Sequence, residues 1–313
     1  MTTTVVAIAV MCWLGGAALS FVQWTQPVGD PIQVSLVQAN TAQEDKWRLH
    51  KRGQIIKQHL ELTRQHYDSD LIIWSENALP AFYHQMQPLL TALDRELKSN
   101  HSEVLLGLQI WEKTTGHYYN SMVSVGGEQG QYKKRHLLMF GEYVPLEKWL
   151  RGVIEFFNLP MSSFSSGSDN QPLLHLAGHP VGVAICYEIA FPWELNQYFP
   201  ESHFLVHVSN DTWFGDSIGP WQHLEQARMR ALEYGRPLVR ATNNGITAVI
   251  NDRGEVIQTA PQFKATVLTE RIQPMTGKTP YALMGHWLLN AWLAVLFLLF
   301  VLRQWFEARR KVV

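Results

Sequence analysis

The sequence predicts one layered α/β domain carried between two apolar segments, and three observations lead there. Strand-like and helix-like patterns alternate through residues 31–275. Some successive strand patterns are separated only by a short turn, so paired strands accompany the β-α alternation. The third observation is at the ends, where residues 5–22 and 283–302 carry no charged side chain.

Taken in order, residues 32–38 alternate apolar and polar and read as a strand. Residues 43–66 are charged and amphipathic and predict one helix. The run Leu71-Ile72-Ile73-Trp74 predicts a buried strand, and a helix follows around 84–98. Residues 104–108 and 119–125 predict successive strands, with Gly126-Gly127 at a turn. A helix near 146–157 leads into a polar loop at 162–170. The apolar run 181–185 is a strand that ends on Cys186, then comes a short helix after Pro192 and a strand at 204–208. Pro220 opens a helix to Tyr234, because a missing N–H costs nothing in a first turn. Residues 238–241 and 247–250 predict two more strands, turned at Asn243-Asn244-Gly245, and Asn251-Asp252-Arg253-Gly254 makes a further turn. No repeat or low-complexity segment interrupts the pattern.

The two uncharged stretches predict transmembrane helices, since eighteen to twenty helical residues span about 27–30 Å, a bilayer's hydrocarbon core. Trp287 and Trp292 mark one interface of the second. Arg303, Arg309, Arg310 and Lys311 follow it and place the tail 303–313 in the cytoplasm. With two spans the N-terminus is also cytoplasmic and the large domain faces outward. The first stretch lacks the positive n-region of a cleaved signal peptide, so a retained span is expected. Cys12, Gly16 and Ser20 recur every four residues as a small-residue stripe. His286 and Asn290 share a face of the second helix, where polar side chains are expected to meet protein or water.

Composition removes several function classes. Net charge is −1 and no basic cluster is interleaved with aromatics, so nucleic acid is not an expected partner. No His/Cys group has metal-ligand spacing and no glycine loop is built for phosphates, so neither metal nor cofactor is expected.

Cys186 stands out: a lone thiol at the end of a strand is a candidate nucleophile as well as a candidate core residue. Cys12 lies inside the apolar N-terminal stretch, which argues against a disulfide. Glu76 follows the strand at 71–74, and Lys134 ends the segment Gln131-Tyr132-Lys133. Ligand sites in α/β sheets form outside the carboxyl ends of strands, so the three could meet at one rim. A carboxylate to take the thiol proton, a thiol to attack a carbonyl and an ammonium to hold the oxyanion suit acyl transfer. The cation would also favour thiolate. His136 and His207 are alternative bases in a Cys-His pair.

Several longer runs carry a resemblance. They are Trp74-Ser75-Glu76, Tyr132-Lys133-Lys134-Arg135-His136-Leu137, Phe140-Gly141-Glu142-Tyr143-Val144-Pro145 and Ile185-Cys186-Tyr187-Glu188. Ser209-Asn210-Asp211-Thr212-Trp213-Phe214-Gly215 and Arg240-Ala241-Thr242-Asn243-Asn244-Gly245-Ile246 extend it. Over residues 31–305 the chain resembles the nitrilase (carbon-nitrogen hydrolase) superfamily, and within it the bacterial apolipoprotein N-acyltransferases. The resemblance implies an αββα sandwich and a Glu-Lys-Cys triad at Glu76, Lys134 and Cys186. It implies transfer of a fatty acyl chain from a phospholipid to the N-terminal amine of an apolipoprotein's diacylglyceryl-cysteine, through a cysteine thioester. Tyr187 would offer a backbone N–H to the oxyanion, and Glu142 and Glu188 would support Lys134 and the amine. Ser75 and Met139 stand where the family has proline. The family also carries a bundle of membrane helices before the catalytic domain, so a fragment, half of a split protein served by a separate bundle, and a reduced enzyme all remain open. The competing functions are a membrane-tethered amidase and a non-catalytic partner subunit.

Overall fold

The computed structural model describes residues 2–143 and 164–310. The helix expected at 146–157, the start of the polar loop and the last residues of the tail lie outside the described residues. The chain opens with α1 (Thr2–Leu19), β1 (Thr25–Pro27), β2 (Ile32–Gln38), α2 (Gln43–Lys46) and α3 (Arg52–Arg64). Next come β3 (Leu71–Trp74), α4 (Tyr83–Ser99), β4 (Glu103–Glu112), β5 (His117–Val125) and β6 (Gln131–Lys133). A second series holds β7 (Leu174–Leu176), β8 (His179–Ile185), α5 (Pro192–Leu195), β9 (Phe204–Ser209) and α6 (Gly219–Tyr234). It continues through β10 (Leu238–Thr242), β11 (Ala248–Ile250), β12 (Val256–Thr259), β13 (Thr266–Ile272) and β14 (Met275–Gly277) to α7 (Pro280–Met284) and α8 (Trp287–Arg310).

Two six-stranded sheets result, in the orders β13-β2-β3-β4-β5-β6 and β12-β11-β10-β9-β8-β7. Each has a parallel trio at its centre, β2, β3 and β4 in one and β8, β9 and β10 in the other. Antiparallel strands flank both trios. Parallel strands are buried on both faces, which accounts for the near-continuous apolar runs at 71–74 and 204–208.

Side chains alternate across each strand, and the two faces enter different cores. Leu36, Ile73 and Leu105 point inward and meet Val183, Ile185, Val206 and Val239 of the opposite sheet. Ile72, Trp74 and Val104 point outward onto Leu90, Leu93 and Leu97 of α4. On the other side Ala184, Leu205 and Leu238 pack on Leu224, Ala227 and Ala231 of α6. Helix, sheet, sheet, helix is the αββα sandwich that the resemblance implies.

The structure corrects the flanking segments. Among the described residues no helix is long and apolar enough to cross a membrane. α1 stops at Leu19, so Ser20 falls past its end and turns its hydroxyl back to the Ala17 carbonyl. The stretch 283–302 is divided at Gly285, whose φ of 52° ends α7 before α8 begins at Trp287. His286 does not await a membrane partner: its Nε2 lies 3.1 Å from the Tyr281 hydroxyl. The apolar side chains of both helices nonetheless stay exposed, Trp13 and Leu14 at one end, Phe297 and Leu299 at the other.

The helix expected over 43–66 is also two helices. Arg48 is extended between α2 and α3, and the break lets Lys46 turn inward and become buried.

Candidate active site

Four strand ends supply the site. β3 runs out into Ser75 and Glu76, β6 into Lys134, β8 into Cys186 and β9 into Asn210. Each strand is anchored by side chains in the inner core, Ile73 of β3, Tyr132 of β6, Ile185 of β8 and Val208 of β9, and its carboxyl end opens on the site.

Glu76 is buried and its two carboxylate oxygens are used separately. Oε1 accepts from Asn120 Nδ2 at 2.7 Å and from Lys134 Nζ at 3.4 Å. Oε2 accepts the backbone N–H of Asn210 at 3.0 Å. Lys134 Nζ makes a shorter contact, 2.8 Å, with Glu142 Oε2. Asn120 closes the ring by donating to Glu142 Oε1 at 2.8 Å as well. A buried ammonium thus sits between two carboxylates that share an amide donor. Burial alone would depress the Lys134 ammonium, but Glu76, Cys186 and Glu142 outweigh it and hold it charged.

Cys186 is packed against the inner core at the first residue past β8 and takes a φ of 53°. A left-handed conformation in a non-glycine residue costs about 1–3 kcal/mol and persists only where its surroundings enforce it. Burial, with the Glu76 carboxylate beside it, pushes the thiol up to about 12, and Lys134 opposes this. A thiol whose proton is held more tightly in this way needs a base at the moment of attack.

Glu188 and Glu142 differ in role. Glu142 contacts Lys134 directly, while the Glu188 carboxylate accepts backbone N–H groups from Ile185 at 2.7 Å and Arg135 at 2.6 Å. It therefore ties the cysteine turn to the lysine segment. Burial raises its carboxyl and those N–H groups lower it. Tyr187 is half-exposed, with its ring against His136 and Phe191. His136 pairs with Glu194 at 2.8 Å, and His207 Nε2 faces the Cys186 carbonyl rather than the sulfur. Neither histidine is placed as the thiol's base.

Two contributors went unread in the sequence. Asn120 is one, half of a fully buried polar pair with Ser121 inside β5. The second unread contributor is Lys46, whose Nζ donates to the Glu76 carbonyl at 3.2 Å and to Asn210 Oδ1 at 3.1 Å. Burial pulls its ammonium down to about 8 although Glu76 opposes the shift. Only the break after α2 reveals it.

The model of the carbon-nitrogen hydrolase family matches residues 33–281, the whole sandwich and all these side chains. The chain belongs to the carbon-nitrogen hydrolase family. Among curated relatives of this carbon-nitrogen hydrolase, the apolipoprotein N-acyltransferase of Methylococcus capsulatus is 44% identical over 89% of the chain. That of Vibrio vulnificus is 43% identical over 94%. The chain spans only 56% and 60% of the length of these two proteins. Among solved structures, Saccharomyces cerevisiae Nit3, of the nitrilase superfamily, matches 81% of the chain at a TM-score of 0.58 and 16% identity. At that identity the likeness shows the fold alone.

Proposed function

We propose that this chain carries the catalytic domain of an apolipoprotein N-acyltransferase, with Glu76, Lys134 and Cys186 as its triad. The observation that carries the reading is the buried Glu76–Lys134–Glu142 cluster beside the strained Cys186 thiol. The names of its relatives supply the acceptor class. In the first half-reaction the Cys186 thiol gives its proton to Glu76 while sulfur attacks the phospholipid ester carbonyl. The tetrahedral oxyanion forms near the Lys134 ammonium, helped by the Tyr187 N–H. Collapse expels the lysophospholipid alkoxide, which takes the proton from Glu76 and leaves a thioester. In the second, the lipoprotein amine attacks the thioester, Glu76 receives its proton, and the expelled sulfur is reprotonated as the amide forms.

The exposed apolar helices support a place at the membrane. A Leu or Phe left in water forgoes about 1.5–3 kcal/mol of burial, and α8 exposes Leu293, Leu296, Phe297, Leu298, Leu299 and Phe300 together. Neither α1 nor α8 is long and apolar enough to cross a membrane alone, so the proposal has them cross packed against neighbouring membrane helices, from a longer chain or a separate polypeptide. In this reading the catalytic domain, residues 31–275, faces the periplasm and both termini face the cytoplasm.

The test is an alkyne-tagged phospholipid offered to the protein in membranes. A hydroxylamine-sensitive adduct should form, vanish in Cys186→Ala and persist in Cys12→Ala. Labelling that survives Cys186→Ala would sink the assignment, and ammonia release from a simple amide without acyl transfer would favour an amidase.

A further inference from the structure

Behind the nucleophile lies a buried polar cluster that the acyl-transfer steps do not use. The Cys186 carbonyl accepts two hydrogen bonds from imidazoles, His207 Nε2 at 3.1 Å and His223 Nε2 at 3.0 Å. His207 stands on β9 and His223 on α6, so two layers of the fold converge on one carbonyl. Each ring is fixed from behind. Arg240 Nη1 donates to His207 Nδ1 at 2.6 Å, which leaves the proton of that ring on Nε2, facing the carbonyl. Burial, with the Arg240 and His223 charges, keeps His207 well below the usual histidine range, in line with that neutral form. His223 Nδ1 lies 3.0 Å from Asp211 Oδ1, an atom that also accepts the Ser209 hydroxyl at 2.6 Å. Asp211 Oδ2 in turn accepts from Arg240 Nη2 at 2.5 Å.

The cluster's output is the conformation of a single residue. A carbonyl turned by a left-handed φ loses the partner that a continuing strand would offer, and two N–H donors replace it here. Rotation of Cys186 back to an extended φ would break both bonds and move the sulfur from its present position.

We propose that His207 and His223 are positioning residues for acyl transfer, a two-donor clamp on the Cys186 carbonyl that holds the nucleophile in its left-handed conformation. The proposal rests on Cys186 being the acylated residue. Asparagine and glutamine test it, because their amides reach the Nδ1 and Nε2 positions of the lost ring respectively. His207→Asn keeps a partner for Arg240 but cannot reach the Cys186 carbonyl, whereas His207→Gln keeps a donor at that carbonyl.

Two readouts on the full chain in membranes separate the possible failures. One is the burst of nitrophenol when p-nitrophenyl butyrate acylates Cys186, which needs no lipid recognition. The other is transfer from tagged phospholipid. His207→Asn should lower the rate of both by roughly 10²-fold, the scale of a misplaced reacting group, with the phospholipid KM unchanged. His207→Gln should stay within a few fold of the parent. Equal behaviour of the two variants, both folded by thermal melting, overturns the clamp. If His207→Asn does not fold, His223→Asn against His223→Gln poses the same question, with Asp211 in place of Arg240. A normal burst without phospholipid transfer in the parent would overturn the acyl-donor reading and leave the clamp to be judged on the burst.

Discussion

At the residue scale, Glu76 has two opposed effects on Cys186, and they can be measured apart. As a charge it raises the thiol and lowers the resting thiolate population; as a base it removes the proton during attack. Glu76→Gln removes both. The thiol should then titrate below about 12, so alkylation by iodoacetamide at pH 8 should speed up while acylation slows by roughly 10²–10⁴-fold. The check is a pH series of alkylation beside single-turnover acylation. Slower alkylation in Glu76→Gln would mean that Glu76 favours thiolate at rest, contrary to the geometry. The sequence made Glu76, Lys134 and Cys186 visible because each ends a strand pattern in a long family motif. It could not show the state of the thiol, which depends on burial and on charges from three different strand ends. Nor could it show Asn120 or Lys46 as parts of the site, since an Asn in a strand and a Lys in an amphipathic run are ordinary surface patterns until folded.

At the element scale, the position of Glu76 depends on how closely β4 approaches the turn after β3. Gly107 in β4 makes this possible: a Cβ there would lie 2.5 Å from the Ser75 carbonyl oxygen and 2.6 Å from the Asn77 nitrogen. Both neighbours are backbone, so relief requires moving the segment that carries Glu76. Gly107→Ala should cost about 1–3 kcal/mol of stability through overpacking, and it should depress acylation by roughly 10²-fold. Gly53→Ala is the contrast, a helical glycine with nothing within 4 Å of the added Cβ. It should gain about 0.5–1 kcal/mol and leave acylation alone. Thermal melts with nitrophenyl-ester bursts on both variants decide the matter; a fully active Gly107→Ala would show that the Glu76 turn has slack. Strands with steady apolar runs, β3, β8, β9 and β10, were legible from pattern. β12 and β13 were not, because they pair near sheet edges and present mostly polar, half-exposed side chains such as Gln258, Thr269 and Glu270. The single helix expected over 43–66 failed for a related reason: amphipathic periodicity continues across Arg48, although the backbone there is extended and Lys46 is buried.

At the scale of the whole molecule, the two apolar helices leave the sandwich close together. β1 pairs antiparallel with β14, Thr25 opposite Gly277, so the chain enters and exits the domain at one place. Arg236 secures that junction from below, donating to the Gly277 carbonyl and to that of Ser202. An entry and exit held together would place α1 and α8 in one membrane on the same side of the domain, as the proposed topology requires. The cations Arg303, Arg309, Arg310 and Lys311 follow the apolar part of α8 and favour the cytoplasmic side for the C-terminus. A reporter active only in the cytoplasm, fused after Val313, should therefore be active. The same reporter placed in the domain should be silent, and the insertion point matters. Gly167 is unsuitable, since its N–H donates to the Lys134 carbonyl and ties that loop to the site. The exposed β4–β5 hairpin is better: Gly116 has a φ of 74° and open space around it. Retained nitrophenyl-ester burst in the Gly116 insertion shows that the domain is folded while its reporter is silent. An active reporter at Gly116 with a silent one after Val313 would invert the topology, and activity at both would place domain and tail on the cytoplasmic side together.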